Sequence, residues 1–176
     1  MIVIPIIPTE RLVLRPFNAP DLDAFAEMNA DPEVVAFLGN GQPIDRQESW
    51  KIMAWLLGHW QLRGFGSWAV EERETKRFVG RVGLFYPEGW PGIEISYVLA
   101  RSAWGKGYAT EGARTAMSHA FEKLNIPRVI SLIHPANRSS VKVAEKLGET
   151  FARKMELNGR TLLVYGRDNP TTSAQL

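Results

Sequence analysis

Two glycines flank a lysine at Gly105-Lys106-Gly107, after a strand-like run and just before a helix-like one. Glycine has no Cβ, so backbone N–H groups in such a turn come close to an anion. A helix start adds unpaired N–H donors and a partial positive charge. Arg101, Lys106 and Arg114 add local charge, against one carboxylate at Glu111. The chemistry this predicts is binding of a phosphate-bearing ligand. It is not a common nucleotide site: G-x-x-x-x-G-K-[ST] is absent, and Thr110 stands where G-x-G-x-x-G needs its third glycine. A bare GxG serves a tight turn with close helix packing equally well, so its surroundings must decide.

Those surroundings read as alternating strands and helices. Thr9 to Phe17 alternates and predicts a strand. Pro20, Asp21 and Asp23 open a helix to about Asn29, and Asp31-Pro32-Glu33 opens a short one to about Leu38. Asp45 starts a longer helix to about Leu62, with Ile52, Met53, Leu56, Leu57 and Trp60 as its apolar stripe. Strands are predicted over Ser67–Glu72, Phe78–Tyr86 and Ile93–Ala100. The helix after the glycines runs from about Tyr108 to Leu124. Arg128–Ile133 is a strand, and Asn137 or Ser139 caps a helix ending at Leu147-Gly148. Asn158-Gly159 between two strand-like runs predicts a hairpin. The order implies an α/β chain (mixed α+β), a mixed sheet with helices packed on it.

The chain has 176 residues, 45% apolar and 23% charged, the composition of one globular domain. Cysteine is absent, which excludes disulfides, thiolate nucleophiles and cysteine-based zinc sites. Three unclustered histidines predict no metal site; His59 and His119 read as helix-surface residues. MIVIPIIP lacks the basic start of a signal peptide, and no apolar run is long enough to span a bilayer, so a cytoplasmic protein without membrane association is expected. The net charge of +2 predicts no nucleic-acid partner. The charge is uneven: residues 1–88 hold 9 basic and 12 acidic side chains, residues 89–176 hold 12 and 7. An anionic ligand belongs with the second half.

Trp104-Gly-Lys-Gly107-Tyr-Ala109 resembles the [RQ]-x-x-G-x-[GA] cofactor signature of the GNAT superfamily of N-acetyltransferases, with Trp104 in place of Arg or Gln. WGKGYATEG, TERLVLRPF at the start, Asp31-Pro-Glu-Val34, Asn137-x-x-Ser140 and Glu145-Lys-Leu-Gly148 are similar to the RimJ/RimL-like branch, which acetylates N-terminal amines of ribosomal proteins. The resemblance covers about residues 9–168, one N-acetyltransferase domain, and leaves 169–176 as a C-terminal tail. It implies a central, mostly antiparallel mixed sheet splayed between the fourth and fifth strands, with helices on both faces. It implies acetyl-CoA as co-substrate and no metal. Pantetheine would pair with exposed backbone of Val98, Leu99 and Ala100 like an added strand. The pyrophosphate would sit on amides of Gly105, Lys106, Gly107, Tyr108, Ala109 and Thr110. Asn137 would bond the pantetheine arm, besides capping its helix. Ser140 would lie near the thioester sulfur as proton donor. A homodimer is compatible with the resemblance.

Acyl transfer to an amine needs a base, because an ammonium has no lone pair. It also needs an N–H donor for the oxyanion, expected near Val98. Glu94 shares a strand face with Ser96 and Val98 and is the first candidate base, against a reading as a plain strand carboxylate. Glu156 beside the hairpin turn is the second, and His134 the third. The expected reaction is acetyl transfer to a primary amine, either a peptide α-amine or a small amine such as a polyamine, an amino acid or an antibiotic. A non-catalytic acyl-CoA binding module is the reading from a different class.

Overall fold

A computed structural model describes residues 2–171. Its strands are β1 (Ile7–Pro8), β2 (Leu12–Arg15), β3 (Ser67–Glu72), β4 (Phe78–Phe85), β5 (Glu94–Leu99), β6 (Arg128–Ile133), β7 (Thr150–Leu157) and β8 (Arg160–Asp168). Its helices are α1 (Leu22–Ala30), α2 (Pro32–Val35), α3 (Arg46–Arg63), α4 (Tyr108–Glu122) and α5 (Arg138–Lys146). The strands form one sheet in the order β1-β2-β3-β4-β5-β6-β8-β7.

Local chemistry sets most boundaries. The Asp31 and Asp45 side chains accept from the N–H groups of Glu33 and Glu48 and start α2 and α3. Gly64, at φ 79°, ends α3 in the left-handed conformation. Two edges differ from expectation. The strand foreseen over Thr9–Phe17 shrinks to Leu12–Arg15, because Thr9 folds back to bond Leu12 and Pro16 has no N–H to continue the ladder. The short β1 was not foreseen; it pairs Ile7 with Leu14. Of the expected tail, 172–176 lie outside the described residues, while Asn169 is buried and its amide bonds the carbonyls of Phe121 and Ile126.

Two apolar layers sandwich the sheet. On one face, Leu12, Leu14, Val82, Leu84, Ile95 and Leu99 pack against Ala113, Ala116, Met117 and Ala120 of α4. Small side chains let α4 sit close: a Cβ on Gly112 would stand 3.0 Å from Val82 Cγ2. On the other face, Ala69 and Val98 pack with Phe17, Phe25, Met28, Met53 and Leu56, from α1, α3 and the chain before α1.

The sheet opens in its middle. β5 and β6 are its one parallel pair, recorded only at Glu94 opposite Ile130, with Ile130 N–H on Ile93 O at 2.9 Å. Beyond that point the strands part. This is the splay expected between the fourth and fifth strands, which are β5 and β6 once β1 is counted. No helix among the described residues is long and apolar enough to cross a membrane.

Candidate active site

The glycine loop lies where β5 ends. A 3-10 turn over Arg101–Ala103 follows the strand, and Trp104 folds back so that Nε1–H donates to Leu99 O at 2.9 Å. Gly105 and Gly107 have φ of 74° and 81°, a region that side chains with a Cβ rarely enter. A Cβ on Gly105 would meet nothing within 4 Å, so one side of the loop is open. Gly107 caps α4, whose first backbone bond runs from Glu111 N–H to Gly107 O at 3.1 Å. The amides of Tyr108, Ala109 and Thr110 are therefore the donors a helix start leaves unpaired.

Residues about a hundred positions away hold this loop. Arg11 Nη1 donates to Lys106 O at 2.8 Å and Arg11 Nε to Glu111 Oε2 at 2.7 Å. Thr9 Oγ1 and Arg11 N–H both donate to Glu111 Oε1, at 2.6 and 2.8 Å. Burial pushes the Glu111 carboxyl up, but these bonds outweigh it and hold the group below its usual range. Tyr108 OH donates to Glu72 Oε1 at 2.6 Å, and Lys106 Nζ stands 3.6 Å from the same oxygen. Thr9 and Arg11 of the TERL run thus brace the loop.

The opening beside β5 has a defined polarity. Ile93 O faces β6, whereas Ala100 N–H is committed to Val79 O of β4's end at 2.9 Å. Backbone direction alternates along a strand, so Tyr97 and Leu99 present their N–H groups to the opening and Val98 presents its own to β4. Of the three residues expected to offer backbone, Leu99 does so through N–H, its carbonyl being taken by Trp104. The expectation that Val98 and Ala100 offer backbone N–H groups there is corrected by this alternation, which leaves Tyr97 and Leu99 as the donors beside Val98.

Glu94 sits where the strands part. Trp90 Nε1 donates to its Oε2 at 2.8 Å. Burial raises its pKa to about 7, while the Trp90 bond, the charge of Arg81 and the Leu132 N–H oppose the rise. Aromatic rings wall this region: Phe85 packs edge-on against Trp90 at 5.4 Å and Trp55 at 5.1 Å, and stacks on His59 at 5.6 Å. His59 is not on the helix surface as expected. It is 4% exposed, with Nδ1 against Phe65 O and Nε2 accepting from Tyr86 N–H, both at 2.9 Å. Two backbone partners and an aromatic slot drew it inward.

Across the opening, Asn137 caps α5 by accepting from Ser140 N–H at 3.1 Å, which leaves its amide nitrogen free of the cap. Ser140 is half-buried; its carbonyl accepts from Tyr97 OH at 3.2 Å. His134 stacks on Phe37 at 5.2 Å, and Arg160 of the β7–β8 hairpin bonds the Gly39 carbonyl, so the α2 loop meets both β6 and the hairpin. Glu156 is exposed and bonds Thr161 across the hairpin. A carboxylate the sequence did not single out, Glu149, is 3% exposed. Ser131 Oγ donates to its Oε1 at 3.1 Å, and its Oε2 has no hydrogen-bond partner among the described residues. Burial pushes its pKa up to about 7, and its charge in turn raises Glu94. Nothing in local pattern marks a buried glutamate that follows a helix-ending glycine.

Known proteins share this fold. The model of the acetyltransferase (GNAT) domain matches residues 11–150. The uncharacterized N-acetyltransferase p20 of Bacillus licheniformis is 30% identical, over 89% of this chain and 91% of its own. The crystal structure of an acetyltransferase from Agrobacterium tumefaciens superposes with a TM-score of 0.83 at 32% identity, over 95% of this chain and 96% of that one. RimL, a ribosomal L7/L12 α-N-protein acetyltransferase solved with coenzyme A, has the same fold, with a TM-score of 0.79 at 21% identity over 93% and 98% of the two chains. A splayed sheet, a glycine loop at its opening and a family match over most of the length lead to one conclusion: the chain belongs to the GNAT family of N-acetyltransferases.

Proposed function

We propose that this chain moves an acetyl group from acetyl-CoA to a primary amine by direct attack, within a catalytic unit of residues 9–168. The observation that carries the reading is a juxtaposition. A half-buried carboxylate, Glu94, stands where β5 and β6 part, and the open glycine loop begins six residues beyond β5.

Acetyl-CoA, when bound, supplies an acetyl group activated as a thioester. The amides of Gly105, Lys106, Gly107, Tyr108, Ala109 and Thr110 suit its pyrophosphate, and the open edge of β5 at Tyr97 and Leu99 suits its pantetheine arm. The Asn137 amide nitrogen is a further donor to that arm. Glu94 takes a proton from the acceptor ammonium, for which a carboxyl pKa of about 7 is well matched. The Leu99 N–H faces the side where the carbonyl oxygen gains charge and donates to it. The Ser140 hydroxyl donates a hydrogen bond to the departing thiolate.

The test is to incubate the purified protein with acetyl-CoA and a mixed panel of peptides and small amines and to measure free thiol, with Gly107→Glu as control. The substitution places a negative charge in the cradle. Thiol release by wild type with some amine, absent in the variant, is the expected result. Binding of acetyl-CoA without turnover of any amine would point instead to an acyl-CoA binding module.

A further inference from the structure

The sheet face that carries Glu94 also carries Arg81, which the reaction just described does not use. Cross-strand partners share a face, and Arg81 lies opposite Val98, Gly83 opposite Ser96 and Phe85 opposite Glu94. Arg81, Ser96, Phe85 and Glu94 therefore look to the side covered by α1 and α3. Gly83, between Arg81 and Phe85 on this face, has no side chain.

A guanidinium set into such a face is normally paired, because burying an unpaired charge is costly. Arg15, on the same face of β2 opposite Ala69, follows the rule: Asp21 and Glu71 each hold it at 2.8 Å. Arg81 does not. Its single hydrogen bond among the described residues runs from Nη1 to Ser96 Oγ at 3.2 Å, and no carboxylate of the described residues is in ion-pair contact with it. Burial lowers its pKa to about 10, with the charge of Glu94 opposing. Arginine has five N–H donors in a planar fork that fits a carboxylate with two parallel bonds.

We propose that Arg81 binds a carboxylate of the acceptor, so that the acceptor is an amine that also carries a carboxylate, as a free amino acid does. The proposal rests on the reading of Glu94 as the base of an amine acetyltransferase. Glu94 and Arg81 then divide the acceptor between them, the carboxylate of the protein facing the amine and the guanidinium facing the acid. A polyamine would bring positive charge against Arg81, and a peptide α-amine would offer an amide where the fork expects an anion.

The experiment compares the twenty amino acids with their carboxamides, and with spermidine, as acceptors for wild type, Arg81→Gln and Arg81→Lys. We expect the best amino acid to exceed its carboxamide about tenfold or more in kcat/KM, mainly through KM. We expect the ratio to fall to about 1 in Arg81→Gln and to lie between in Arg81→Lys, which keeps the charge but loses the fork. Equal use of acid and carboxamide by wild type, preference for spermidine, or an unchanged ratio in Arg81→Gln overturns the proposal. A second readout needs neither turnover nor the variants: the shift in melting temperature of wild type with CoA on adding the N-acetyl amino acids or their carboxamides. A shift from an acid and not from its carboxamide supports the proposal, and equal or absent shifts overturn it. If no amine is acetylated at all, the reaction of Glu94 fails, and the melting shifts still decide about Arg81.

Discussion

Arg11, which precedes β2, donates from Nη1 to the carbonyl of Lys106 at 2.8 Å while Nε holds Glu111 at 2.7 Å. One side chain thus fixes both the glycine loop and the first turn of α4. With the Lys106 carbonyl tied back, the loop keeps its N–H groups for a ligand.

Removing that tie should loosen the cradle without touching the reacting atoms. Arg11→Met should raise the KM for acetyl-CoA about 5- to 10-fold, the worth of roughly 1 kcal/mol for a partly exposed charged hydrogen bond. The kcat should change less than twofold by the scale of an interaction that is uniform between ground and transition state, roughly zero in ΔΔG‡ for kcat. Steady-state kinetics with acetyl-CoA varied checks the split; a loss confined to kcat would contradict it.

Glu94→Gln should lower kcat/KM by about 10²–10⁴-fold, the usual contribution of a positioned base. In the proposed reaction the deprotonated carboxylate is the active form, and its pKa is raised to about 7. The rate should therefore climb with pH and level off above about 7. Trp90→Phe removes a bond that favours the charged form, so its acidic limb should move to higher pH. A pH–rate profile unmoved by Trp90→Phe would separate Glu94 from the limb.

Glu149 gives a pH dependence of stability. Its folded pKa, about 7, lies above its ordinary value of 4.5. The folded chain binds the extra proton between these values, so the stability that this group contributes is present at low pH and is lost as pH rises through 7. Glu149→Gln removes the unpaired charge and should stabilise the protein at pH 8 by on the order of 2 kcal/mol, and much less at pH 5. Thermal unfolding of both proteins at the two pH values is the measurement, and a difference independent of pH would count against the buried carboxylate.

His59 runs the other way. Burial lowers its pKa below 6.5, so its stabilising effect is complete above 6.5 and is lost as pH falls below that value. His59→Phe should keep the ring contact with Phe85 but strand the Tyr86 N–H and the Phe65 carbonyl, at about 2–4 kcal/mol for two buried groups. Urea denaturation at pH 7.5 would reveal the loss, and full stability of the variant would show that water replaces the imidazole.

Much of this protein is legible in single stretches of sequence. Asp31, Asp45 and Asn137 cap helices through bonds to residues two or three positions on, and Gly64 and Gly107 take conformations that their own lack of a Cβ permits. The apolar rhythm of α4 and the Asn158-Gly159 hairpin are equally local. Sequence could therefore fix the elements, the glycine loop and the face that Glu94 shares with Ser96 and Val98.

Tertiary structure decided the state of each functional group. The braces on the loop come from Thr9, Arg11 and Glu72, and Trp90 and Arg81 act on Glu94 from another turn and another strand. Whether a charge is paired, as for Arg15, or left with a single hydroxyl partner among the described residues, as for Arg81, depends on which strands lie side by side. Charges and hydrogen bonds act through distance in space, and the pairing of β2, β3, β4 and β5 brings together residues that are far apart in the chain.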